Sequence, residues 1–119
     1  MSRYVSVALA GVTLGEVTAA LQELGLAHQV GERLLEGSLE CAGEPVTVRC
    51  PDGIAGTVED FGFRVDDGTL TLVCGELDRD RLETTLVPRL REAIAKMRLG
   101  AAGVTVAGAP IVQVGSRRK

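Results

Sequence analysis

The fold is decided by the stretch Phe61-Gly62-Phe63-Arg64-Val65-Asp66-Asp67-Gly68-Thr69-Leu70-Thr71-Leu72-Val73-Cys74. Phe61, Phe63 and Val65 alternate with Gly62 and Arg64, and Leu70, Leu72 and Cys74 alternate again beyond Asp67-Gly68. Asp-Gly between two alternating runs signals a hairpin with a two-residue type I′ turn, because both central residues need positive φ. Two of the three aromatic side chains lie here. The hairpin, taken from Val58 to Cys74, is therefore expected at the centre of the core, with Phe61, Phe63, Leu70 and Leu72 meeting Leu14, Leu21, Leu24, Leu86 and Leu90.

Downstream, a helix is expected from about Arg79 or Arg81 to Leu99, with the stripe Leu82, Leu86, Leu90, Ala93, Ile94 and Met97. Asp78 or Asp80 is the expected cap, since a helix N-terminus favours negative charge. Pro88 removes one backbone donor and crowds the Thr84 carbonyl, so a kink is expected near Thr84-Thr85. Gly100 and Gly103 end the helix. Val104 to Val106 and Ile111 to Val114 follow as short apolar segments, and Ser116 to Lys119 reads as a basic tail.

Upstream, strand-like segments occupy Ala27 to Leu34, Gly37 to Cys41, Pro45 to Cys50 and Thr57 to Val65, separated by Gly- and Pro-containing turns. Before them Thr13-Leu14-Gly15-Glu16 fits a capping box. Leu14, Val17, Leu21 and Leu24 then recur at helical spacing and Gly25 supplies the left-handed stop, giving a helix over Leu14 to Leu24. Tyr4 to Leu9 is a first strand. The order predicts an α+β fold: a single, mainly antiparallel sheet with two helices packed on one face. The nearest common plan is ferredoxin-like βαββαβ with extra strands. Residues 1–115 form one domain and 116–119 the tail.

Composition narrows the function classes. The chain of 119 residues is 45% hydrophobic, enough for one core built from Val, Leu and Ala. With no Trp, one Tyr and two Phe, it lacks stacking platforms for single-stranded nucleic acid. Thirteen basic against sixteen acidic residues give a net charge of −3, which disfavours a phosphate-binding surface. No segment has the shape of a signal peptide or the roughly 20 apolar residues of a membrane span. Three cysteines without a CxxC pair do not make a secreted disulfide framework, so the expected location is the cytoplasm. Neither a nucleic acid nor a membrane is expected as partner.

Cys41, Cys50 and Cys74 invite a metal or redox reading. Cys41 and Cys50 fall on neighbouring strand segments and His28 on another, so Cys41, Cys50 and His28 are the candidate zinc ligands or thiol machinery. No pair has the short spacing that preorganises a structural zinc site, and alternation sends Cys50 and Cys74 to an apolar face, where a thiol is inert. His28, the only histidine, is expected on a strand face or in the loop after Gly25. No GxSxG, GxGxxG or Walker A pattern occurs. Glu59-Asp60, Asp66-Asp67 and the Glu76 to Arg81 cluster have ordinary uses as turn and cap residues. No cofactor and no catalytic residue is expected.

The order of Met1-Ser2, Ala20-Leu21-Gln22-Glu23-Leu24-Gly25, Gly62-Phe63-Arg64 with Asp67-Gly68, Leu72-Val73 and a closing helix resembles the hypothetical proteins of cyanobacteria and algal plastids known as the plastid reading frame 35 family. The resemblance spans roughly residues 1 to 105. That family carries a tryptophan-rich stretch where this chain has Cys74-Gly75-Glu76, and an aromatic-rich second helix where Leu82 to Leu99 has no aromatic residue. The resemblance implies a small accessory protein, working beside an ATPase of the AAA type. From the residues themselves, a non-enzymatic interaction module with a protein partner or a homodimer is expected. A small-molecule or metal-binding protein using Cys41, Cys50 and His28 is the alternative.

Overall fold

The computed structural model describes residues 3–37 and 43–101. In chain order these form β1 (Tyr4–Ala8), α1 (Leu14–Glu23), β2 (Gln29–Leu34), β3 (Pro45–Cys50), β4 (Phe61–Asp66), β5 (Thr69–Gly75) and a second helix. That helix runs through α2 (Arg79–Arg81), a π-helical turn (Leu82–Leu86) and α3 (Val87–Ala101), with right-handed backbone angles at both junctions. Cys41, the apolar segments Val104 to Val106 and Ile111 to Val114, and the tail lie outside the described residues.

The five strands make one antiparallel sheet in the order β1-β5-β4-β3-β2. Val17, Ala20 and Leu21 of α1 share one core with Leu82, Leu86, Leu90 and Ile94 of the second helix and with the strand residues Phe61, Phe63, Leu72 and Cys74. The architecture is thus the expected α+β sheet with both helices on one face. The hairpin pairs around Asp67-Gly68, with Asp66 opposite Thr69 and Val65 opposite Leu70. Positive φ at both Asp67 (51°) and Gly68 (78°) makes the turn type I′. Phe61 and Phe63 are fully buried, their rings edge-to-face at 6.2 Å.

The first helix is built as its sequence dictates. The Thr13 hydroxyl accepts from the Glu16 amide at 3.1 Å and the Glu16 carboxylate accepts from the Thr13 amide at 3.0 Å. At the other end Gly25 turns left-handed (φ 71°), with Leu26 N–H donating to the Leu21 carbonyl and Gly25 N–H to that of Gln22. This is a Schellman ending. In the second helix the disturbance expected from Pro88 takes the form of a π turn, in which Val87 N–H reaches the Leu82 carbonyl. A stripe spaced by four at Leu82, Leu86, Leu90 and Ile94 overshoots a 3.6-residue turn, and one wider turn takes up the excess. Thr84 and Thr85 hydroxyls donate to the Asp80 and Arg81 carbonyls beside it.

Several boundaries differ from expectation: β1 ends at Ala8 rather than Leu9, and the second helix runs through Gly100 to Ala101 rather than stopping at Leu99. β4 begins at Phe61 rather than Thr57, because the Val58 and Glu59 amides are taken by the buried Asp78 carboxylate at 2.9 Å each. For the same reason Asp78 makes no side-chain cap on the helix it precedes. β2 begins at Gln29 rather than Ala27. A smaller cluster of Leu35, Val46 and Val73, with Tyr4 against it, forms away from the main core. Gly62 permits it: a Cβ there would lie 2.4 Å from the Val48 carbonyl oxygen and 2.9 Å from Val46 Cβ, so the neighbouring strand β3 runs too close for a side chain.

Candidate functional site

The residues singled out for chemistry do not meet among the described residues. Cys50 on β3 and Cys74 on β5 are both fully buried in the main core, with β4 running between their strands. Burial pushes each thiol up to about 12; the Arg49 charge opposes this at Cys50, while Asp78 adds to it at Cys74. Both are neutral at physiological pH, and the thiolate is the form that attacks or binds metal. His28, half-buried just before β2, has Nδ1 2.7 Å from the Leu26 carbonyl oxygen, a contact in which Nδ1 donates. Among the described residues no group of three or more His, Cys, Asp or Glu side chains is arranged to hold a metal ion.

A polar centre without a local signature in the sequence is built on the carboxylate of Asp60. Asp60, 3% exposed, accepts from four donors. Oδ1 takes the Tyr4 hydroxyl and the Gly37 amide; Oδ2 takes the Glu36 amide and Arg49 Nε, each at 2.7 Å. Burial works to raise its pKa, but the Tyr4 hydroxyl, the two amides and the guanidinium together hold it below the ordinary aspartate value. Arg49 continues to the Gln29 side chain at 2.8 Å and Glu36 at 3.6 Å. A shallow cleft of about 160 Å³ opens beside it, lined by Glu36, Asp52, Val58 and Glu59. Every acceptor position of the carboxylate is occupied, so this centre ties the segment before β4 to β1, β3 and the chain after β2. It leaves no lone pair for a ligand.

The two sheet edges contrast. β2 is broken by a register shift between Val30 and Arg33 and carries Glu32 and Arg33 within it, both devices that discourage strand pairing. β1 has no charge, no proline and no bulge, and its five residues pair with β5 in unbroken register from Tyr4–Gly75 to Ala8–Thr71. The bonds Glu76 N–H to Arg3 O and Leu9 N–H to Leu70 O fix the phase of that ladder. Odd residues therefore bond to β5, while the N–H and C=O of Ser6 and Ala8 point away from the sheet. On the helix side Val5 and Val7 are only half-buried, and Ser6 and Ala8 are exposed on the other face. Among the described residues no strand pairs with this edge.

Between α1 and α3 lies a groove of about 350 Å³ lined by the apolar Leu24, Ala93 and Met97 and by the charged Glu23, Arg89, Glu92 and Lys96. No helix among the described residues is long and apolar enough to cross a membrane. In comparisons with known proteins, the chain matches no family model, no curated protein and no solved structure.

Proposed function

We propose that the protein is a non-enzymatic interaction module that receives an extended partner segment along the edge of β1. The observation that supports this reading is the asymmetry of the sheet: the β2 edge is charged and bulged, and the β1 edge has neither protection. Strand addition draws affinity from main-chain hydrogen bonds and specificity from alternate side chains, and Ser6 and Ala8 offer the first while half-buried Val5 and Val7 offer the second. Two neutral buried thiols and a half-buried histidine bonded to its own loop lend no support to the thiol or metal alternative. The family resemblance implies an ATPase of the AAA type as a partner, and a second copy of this chain is the other occupant to test.

A photo-crosslinking residue at Ala8, compared with one at exposed Gln22 on α1, tests the reading in the native cell. The expected result is a protein captured from position 8 and not from position 22, and lost when Ser6→Pro removes an outward N–H without touching the β5 ladder. Equal capture at both positions, or capture unchanged by Ser6→Pro, overturns it.

A further inference from the structure

We infer that the occupant of the β1 edge is a second copy of this chain, paired antiparallel about a two-fold axis at Ser6. The inference rests on the reading of β1 as the interaction edge and adds its partner and register. An isologous contact must place a strand against itself, so the strand must be self-complementary in backbone phase, side-chain size and charge. β1 meets all three conditions. The outward N–H and C=O of Ser6 face the same groups of Ser6 in the second copy, which closes a hydrogen-bonded pair on the axis. One step away, Val5 lies opposite Val7 of the second copy on the helix side, at the closer-spaced, non-hydrogen-bonded position. Two such valine pairs would complete the burial that the edge position denies these side chains.

Charge points the same way. Like charges opposite one another in a strand pair are destabilising, and no residue from Tyr4 to Ala8 is charged. The flanking Arg3 already has a partner in Glu76 at 3.7 Å. The β2 edge offers no such continuous ladder to a second copy, because its register shifts between Val30 and Arg33. A five-residue strand pair covers only part of the roughly 800 Å² per partner that stable interfaces bury, so the dimer is a weak, concentration-dependent one.

Sedimentation of the full chain over a wide concentration range, with Ser6→Lys, Ser6→Glu and their equimolar mixture, tests this. Ser6 is exposed, so circular dichroism and melting temperature serve as checks that both variants fold. The expected result is a wild-type dimer that forms reversibly. Each variant alone dissociates at least about tenfold more readily, because it opposes two like charges on the axis, and the mixture regains the dimer. A wild-type chain that stays monomeric at millimolar concentration overturns the inference, as does a Ser6→Lys variant that dimerises like wild type. A monomeric wild type that still captures a different protein at position 8, sensitive to Ser6→Pro, overturns the second copy while leaving the interaction edge standing. Failure of both experiments removes both.

Discussion

Asp60 concentrates more of the fold's polar organisation than any single residue of the sequence suggests. Its four donors come from β1, from β3 and from the chain after β2, so replacing the carboxylate undoes three connections at once. Asp60→Asn turns one acceptor into a donor facing donors and leaves the Arg49 guanidinium without its closest charge; a loss of roughly 3–5 kcal/mol is expected in urea unfolding. The pH dependence has a definite sign. A carboxyl held below its ordinary value in the folded state stabilises fully above the unfolded pKa of about 3.9 and loses that contribution as pH falls through the lower folded value. Wild-type stability should therefore decline below pH ~4 more steeply than that of Asp60→Asn, and parallel curves would refute this role. Gly62 is the apolar counterpart. Gly62→Ala drives a methyl into the Val48 carbonyl, which cannot yield as a side-chain tip would, and a cost at or above the upper end of roughly 1–3 kcal/mol should appear in the unfolding midpoint.

For the elements, stability is partly a matter of how their ends are closed. Thr13→Ala removes the acceptor for the Glu16 amide and half of the capping box, and should cost about 0.5–2 kcal/mol in thermal or urea unfolding. The same box is tied to the second helix, since Arg98 bonds Glu16 at 2.6 Å and the Gly11 carbonyl. That guanidinium, with the Thr13 amide, holds the Glu16 carboxyl down at about 2. The elements legible in the sequence are those whose signals are local. The Asp67-Gly68 turn, the Thr13 box and the Gly25 stop each need only four to six consecutive residues, and Pro88 marks where the second helix must adjust. Asp60 and Asp78 were not legible, because their partners lie far away in the chain and nothing at Glu59-Asp60 announces Tyr4 or Glu36. An aspartate before a helix reads as a cap until the structure shows it turned toward Val58 and Glu59.

Over the whole molecule, the sheet order was the least legible feature, because alternation tells which face a residue takes and not which strand it neighbours. The candidate site suffered likewise: its cysteines follow apolar alternation into the core, whereas the β1 edge emerges only once the strands are ordered. Burial of Cys50 and Cys74 on both sides of β4 makes their reactivity a readout of global opening. Native protein should label slowly at these two positions with a thiol reagent at pH 7 and rapidly once denatured; peptide-like rates at both in the native state would contradict their placement. The order β1-β5-β4-β3-β2 also sets a sequence of events during synthesis. β2 through β5 pair with their chain neighbours, so that meander can form from short loops, but Tyr4 must wait for Gly75 before it has a mate. Loop-closure entropy makes that joining late and its contribution to contact order large. Of the five strands, the earliest in the chain is thus the last to find its place. Pulsed hydrogen exchange during refolding should show the amides of Val5 and Val7 acquiring protection after those of β4.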